Sequence, residues 1–216
     1  MELDEVKRII ENTGIFPGIR VDSADQALYA AETLFDAGIP VAEITMTVPG
    51  AVEVIRTLVQ KFPTMAVGAG TVLDSETALR CIDAGARFVT STGLVSEVVD
   101  AARKAKIVAI PGALTPSEVI AGWKAGADYV KIFPAASLGG DLYIRSLKLP
   151  LPYVKIIAAG GVNQQTAVGF LRAGSTAIGV GMELLPQEAV ARRQSHRIHE
   201  LARRFQGYVK EARKLS

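Results

Sequence analysis

Apolar positions along the chain follow two periods that alternate. Short runs rich in β-branched and aromatic residues read as strands near Ile15–Arg20, Val41–Met46, Met65–Ala69, Phe88–Ser91, Ile107–Ile110, Tyr129–Phe133, Val154–Ala158 and Ala177–Val180. Between them, apolar residues recur at helical spacing near Ser23–Ala37, Ala51–Lys61, Ser75–Ala84, Val95–Lys104, Pro116–Ala125, Gly140–Leu147, Gln164–Ala173 and Gln187–Lys214. Thr115-Pro116-Ser117-Glu118 puts proline at a first helical position, and Asp74-Ser75-Glu76 offers polar caps. An x-Ala-Gly tripeptide closes four of the helices, with glycines at Gly38, Gly85, Gly126 and Gly174, where a left-handed closing residue belongs. These glycines are 47, 41 and 48 residues apart, wide enough for two strand–helix units each.

Strands alternating with helices imply a parallel sheet, and eight such units imply a closed (β/α)8 TIM barrel. The rival, an open doubly wound sheet, lacks support because no Gly-x-Gly-x-x-Gly follows the first strand. Residues 1–216 then form one domain, with a short amphipathic helix over Met1–Asn12 and a basic C-terminal helix, and that length suits a single α/β barrel.

Composition narrows the class. Hydrophobic residues make up 49% and charged ones 21%, with a net charge of +2, so no bulk charge speaks for nucleic acid or a membrane. The longest apolar runs have strand length, and the charged N-terminus does not read as a signal peptide. Cys81 is the single cysteine and has no intramolecular partner, so a cytoplasmic location is expected. The arginines and lysines of the terminal helix read as a solvated face, with a subunit or anion contact as the alternative. His196 and His199, the only histidines, read as surface residues far from any strand end. With no His/Asp/Glu cluster, neither a metal nor another cofactor is expected.

The candidate chemistry starts at Lys131, set in the strand-like run Tyr129-Val130-Lys131-Ile132-Phe133. An ammonium in apolar surroundings needs a partner or loses its proton, and a neutral amine attacks carbonyls to form Schiff bases. Alternation puts Tyr129, Lys131 and Phe133 on one face, and Val41, Glu43 and Thr45 on one face of the second strand. If Val130, Ile132, Ala42 and Ile44 pack against outer helices, Lys131, Glu43 and Thr45 turn together into the barrel. That pair is a structural ion pair or a nucleophile with an acid/base; placement near strand ends favours the second. Gly68-Ala69-Gly70-Thr71-Val72 allows close backbone approach, and Thr71 offers a hydroxyl to a substrate carboxylate. Gly160 and Gly161 after the seventh strand, with Gly179-Val180-Gly181 after the eighth, lie where barrels of this type hold anions. Arg20 brings a cation to the same mouth, or is a surface residue. Without metal ligands the amine is the carbonyl activator, which points to aldol cleavage or condensation.

Five segments stand in an order that resembles a known family. Glu43-Ile44-Thr45-Met46-Thr47-Val48-Pro49, Gly68-Ala69-Gly70-Thr71-Val72, Ile110-Pro111-Gly112, Val130-Lys131-Ile132-Phe133-Pro134-Ala135 and Gly160-Gly161-Val162 are similar to the 2-keto-3-deoxy-6-phosphogluconate / 4-hydroxy-2-oxoglutarate class I aldolases. The resemblance spans about Arg20 to Leu185. It implies a Schiff base at Lys131, acid/base work at Glu43, carboxylate binding at Thr71, an anion contact at Arg20, a pocket wall at Phe133, pyruvate as a product and a homotrimer. This chain departs from the phosphogluconate enzymes at Thr47, where some members carry arginine, and at Ser91-Thr92-Gly93, Ala159 and Met182. Two hydroxyls are thereby missing from the anion pocket, which leaves the aldehyde half of the substrate open. A non-catalytic barrel that binds an oxo-acid or serves as a scaffold is the alternative, and a phosphosugar isomerase or epimerase a third reading.

Overall fold

In the computed structural model, which describes residues 1–214, the alternation becomes a barrel. Leu215 and Ser216, the end of the expected domain, lie outside the described residues. Helix α1 (Leu3–Thr13) precedes β1 (Ile15–Ile19), α2 (Ala24–Asp36), β2 (Val41–Thr45), α3 (Ala51–Lys61), β3 (Ala66–Gly70) and α4 (Ser75–Asp83). Then come β4 (Phe88–Thr90), α5 (Ser96–Lys104), β5 (Val108–Ile110), β6 (Gly112–Ala113), α6 (Pro116–Lys124) and β7 (Val130–Ile132). A 3-10 turn (Ala136–Leu138), α7 (Asp141–Lys148), β8 (Ile156–Ala159), α8 (Ala167–Arg172), β9 (Ala177–Val180), α9 (Gln187–Ala191) and α10 (Ser195–Arg213) complete the order.

All pairings are parallel, in the order β5-β4-β3-β2-β1-β9-β8-β7-β6. Strands β5 and β6 are one strand position cut by Pro111, which has no N–H to give a ladder. Its first half pairs with β4 and its second with β7, and the Pro111 carbonyl still accepts the Lys131 N–H at 2.9 Å. The two sheet ends therefore meet on one broken strand, and eight strand positions close the barrel. The fifth strand thus runs past its expected end at Ile110.

Two apolar cores result from the alternation. One lies between sheet and helices and includes Ala42, Ile44, Val130 and Ile132. The other fills the lower barrel with Phe16, Val41, Phe88, Val108, Tyr129 and Ile157, capped by Val6 and Ile10 of α1. Each such large side chain contributes about 1.5–3 kcal/mol by leaving water. Phe16 and Phe88 meet with ring centroids 4.9 Å apart. Helix α1 lies across this end against β1, β2, β3, β5 and β9. A polar ring secures it: the Tyr129 hydroxyl donates to Glu11 at 2.7 Å, Lys155 pairs with Glu11 at 2.6 Å, and Lys7 pairs with Asp128 at 2.5 Å. Burial and the Glu11 carboxylate push the Tyr129 phenol well above its ordinary pKa.

Three expectations need correction. The C-terminal helix is broken over 192–194, where Arg193 adopts φ +51° and reaches Asp25 at 2.7 Å, its guanidinium 5.2 Å from the Tyr29 ring. The eighth helix begins at Ala167 rather than Gln164, because Asn163 Oδ1 accepts from the Gln165 and Thr166 N–H groups at 2.9 and 3.0 Å and holds a turn. His199 is half-buried, its Nε2 sealed without a partner, rather than a surface residue. The basic stripe is also partly engaged, since Arg213 donates to the Asn12 and Glu11 carbonyls and Arg204 pairs with Glu200 at 2.5 Å.

Candidate active site

Lys131 occupies the middle of β7, with fully buried Val130 and Ile132 turned outward. Its side chain therefore points into the barrel, above the layer of Tyr129. There Lys131 Nζ lies 2.9 Å from Glu43 Oε1, with side-chain exposures of 14% and 5%. Glu43 faces inward for the same reason, since Ala42 and Ile44 are buried outward on β2. Register places Gly18 of β1 and Gly68 of β3 beside it.

Glycines make the room that Glu43 occupies. A Cβ at Gly70 would stand 2.5–2.6 Å from Glu43 Cγ, Cδ and Oε1, and one at Gly18 would stand 3.1 Å from Oε2. A carboxylate this deep requires charge-assisted partners. Two converge on Oε1: the Lys131 ammonium and the hydroxyl of Thr90, a fully buried residue of β4. Oε2 accepts no hydrogen bond among the described residues.

The strand ends above this pair form the mouth. Thr71 follows β3 with φ +59°, a conformation rare for a β-branched residue and typical of constrained functional loops. The next N–H, from Val72, donates to the Thr90 carbonyl at 3.0 Å. Thr45 is less available than expected: its buried hydroxyl donates to the Ile19 carbonyl at 3.1 Å and lies 2.7 Å from the Thr47 hydroxyl. It ties the ends of β1 and β2 together. Phe133 projects from the end of β7, 36% exposed, beside Gly160. Gly160 and Gly161 have φ +83° and +82°, and a Cβ at Gly161 would stand 2.3 Å from Ala136 Cβ. The Ala135 and Ala136 N–H groups bond the Ala159 and Gly160 carbonyls at 2.8 and 3.0 Å, so the two loops are locked together. Arg20 stands exposed just past β1, with no ion pair or side-chain hydrogen bond among the described residues. Met182, 70% exposed, takes the turn after β9.

A surface concavity of about 600 Å³ lies elsewhere: it is lined by Met46, Arg56, Thr77 and Arg80 and includes none of these residues. Among the described residues, no group of three or more His, Cys, Asp or Glu stands together to hold a metal ion. Sequence reading missed Thr90 and Gly18, and gave Gly70 to the approach of a ligand, whereas the space beside it is filled by Glu43. The signal for Thr90 was present, because alternation from Phe88 points it inward and a hydroxyl there needs a partner.

A closed parallel barrel with an amine held against a carboxylate inside it has the arrangement that Schiff-base chemistry of the aldolase type requires. A model of the family described as KDPG and KHG aldolase matches residues 6–201, and the chain belongs to that family. The KHG/KDPG aldolase of Escherichia coli (strain K12) is 32% identical over 195 residues, covering 90% of this chain and 92% of that protein. Among solved structures, the KDPG aldolase of Legionella pneumophila, captured with pyruvate as a covalent carbinolamine, matches with TM-score 0.79 and 33% identity, covering 88% of this chain and 94% of that one. A designed cube-shaped cage built by fusing symmetric oligomeric domains matches with TM-score 0.82 and 28% identity, covering 93% of this chain and 74% of that one.

Proposed function

We propose that this barrel cleaves a 2-keto-3-deoxy sugar acid, such as 2-keto-3-deoxy-6-phosphogluconate or 4-hydroxy-2-oxoglutarate, to pyruvate and an aldehyde, with Lys131 as nucleophile and Glu43 as acid/base. The observation that carries this reading is the 2.9 Å contact between Lys131 Nζ and Glu43 Oε1 in the enclosed mouth. Lys131 hands a proton to Glu43 and attacks the C2 carbonyl, giving a carbinolamine. Glu43 protonates the leaving hydroxyl, water departs, and an iminium forms. Through a water, Glu43 then takes the proton of the C4 hydroxyl. The C3–C4 bond breaks, its electron pair moves into an enamine, and C4 leaves as the aldehyde. Protonation at C3 and hydrolysis of the imine release pyruvate and restore the amine.

The remaining residues bind. Thr71 offers its hydroxyl to the pyruvate carboxylate, Phe133 walls the pocket, Thr45 holds the rim, and Arg20 with the Gly160-Gly161 backbone receives anionic groups of the aldehyde half. The whole chain acts as one barrel domain. We place it in the cytoplasm, supported by the lone Cys81 and by the fact that no described helix is long and apolar enough to cross a membrane. The proposed assembly is a homotrimer, supported by the match to symmetric oligomeric domains and by exposed Leu79, Leu142 and Leu149.

Borohydride reduction with pyruvate, followed by peptide mass spectrometry, tests the chemistry. A pyruvate-sized adduct on Lys131, absent from Lys131→Ala along with lyase activity, is expected. No adduct, or full activity in Lys131→Ala, would sink the reading.

A further inference from the structure

We infer that Thr90 is a positioning residue that fixes Glu43 with Oε1 toward Lys131 and Oε2 toward the substrate. The inference rests on the lyase reading above. Glu43 Oε1 receives two donors among the described residues, Lys131 Nζ and Thr90 Oγ1, while Oε2 receives none. These two donors differ in what the reaction does to them. Lys131 passes from ammonium to amine, carbinolamine and imine, so its hydrogen bond to Glu43 changes at every step. Thr90 takes no part in bond making and donates throughout.

The terminal torsion of a glutamate is broad and nearly two-fold, so a carboxylate held by Lys131 alone is free to rotate once that partner is consumed. Thr90 is itself well anchored. It is fully buried and β-branched, which restricts its first torsion. Its backbone is paired to Ile110 of β5, and its carbonyl accepts the Val72 N–H at 3.0 Å. Through that second bond it also ties the Thr71 turn to the same point. The two glycine walls complete the restraint, because Gly70 leaves only enough space for the acid group in its present place. A space-filling role makes a different prediction, since valine has the same shape as threonine without the donor.

The test compares Thr90→Val and Thr90→Ser with the wild type. Cleavage of 2-keto-3-deoxy-6-phosphogluconate and of 4-hydroxy-2-oxoglutarate is followed by pyruvate release. Deuterium exchange into the pyruvate methyl group in D2O reads the Glu43-dependent proton transfer, and borohydride trapping reads Schiff-base formation. Thr90→Val should lower kcat and the exchange rate by about tenfold to a hundredfold, the ordinary weight of a hydrogen bond to a charged group. KM should stay within about twofold and the Lys131 adduct should still form. Thr90→Ser, which keeps the hydroxyl, should recover both rates to within about threefold of the wild type. A Thr90→Val enzyme with unchanged kcat and exchange overturns the inference, as does a Ser variant as slow as the Val variant, or a defect confined to KM. A wild type that forms no adduct removes the lyase reading and this inference with it. A wild-type adduct beside an unaffected Val variant removes this inference alone.

Discussion

Replacing Gly70 by alanine adds one methyl group at the point where the structure tolerates it least. The new Cβ would lie 2.5 Å from Glu43 Cγ and 2.6 Å from Cδ and Oε1. Carbon atoms in ordinary contact stand about 3.5–4.0 Å apart, so the carboxylate or β3 must give way by about 1 Å. Gly70 does not have a positive φ, so alanine meets no backbone penalty and the effect is purely steric. A shift of that size lengthens the 2.9 Å Lys131–Glu43 contact beyond hydrogen-bond range. Misplacement by about 1 Å costs about a hundredfold in rate, whereas overpacking costs about 1–3 kcal/mol of a folding free energy of about 5–15 kcal/mol. Gly70→Ala should therefore fold, melt somewhat lower and lose about a hundredfold in kcat. Pyruvate release coupled to lactate dehydrogenase gives kcat, and a thermal melt gives the stability. A variant with lowered melting temperature but kcat within about threefold of the wild type would refute the placement of Glu43 as proton carrier.

Further outcomes follow from other parts of the molecule. Arg20→Ala should raise KM for anionic substrates by about tenfold and leave kcat nearly unchanged, whereas an unchanged KM in steady-state assays would count against an anion contact. Gly161→Ala combines φ +82° with a 2.3 Å approach to Ala136 Cβ, and should cost about 2–5 kcal/mol, seen as a melting temperature lowered by roughly 5–15 °C. At the lower end of the barrel, burial pushes the Glu11 carboxyl up, but hydrogen bonds from Lys155 and Tyr129 and the charges of Lys155 and Lys7 outweigh it and leave the pKa lowered. A depressed folded pKa stabilises the fold above the unfolded value, and that stability fades as pH falls through the folded one. Glu11→Gln should thus flatten the acid side of the stability curve in urea melts between about pH 3 and pH 7; an unchanged slope would show that the ring around Glu11 carries no such linkage.

Much of the barrel was legible in the alternation of periods. Buried parallel strands carry apolar residues on both faces, and each x-Ala-Gly marks where a helix must stop. The inward direction of Lys131 and Glu43 followed from Val130, Ile132, Ala42 and Ile44 alone. What escaped depended on contacts between segments distant in sequence. Pro111 ended the predicted fifth strand, yet its carbonyl continues the ladder to Lys131. Arg193 breaks the last helix because Asp25 and the Tyr29 ring lie beside it, which no local pattern reports. Thr45 was expected to turn into the barrel, but that the Ile19 carbonyl takes its hydroxyl proton depends on a strand distant in sequence. Thr90 and Gly18 have meaning only once Glu43 is set between β3 and β1.

The helix laid across the lower end of the barrel gives the enzyme a single doorway. Among the described residues, buried Val6, Ile10 and Tyr129 fill that end, which leaves the rim as the approach to Lys131. In the reaction proposed above, pyruvate held on Lys131 would sit inward of the bond that breaks, and the aldehyde outward. Traffic is then strictly sequential. The aldehyde departs while its partner is still covalently held, and in the synthetic direction pyruvate boards first. Inhibition by products should carry that signature, with pyruvate competing against the sugar acid for the free amine and the aldehyde acting on the loaded enzyme instead.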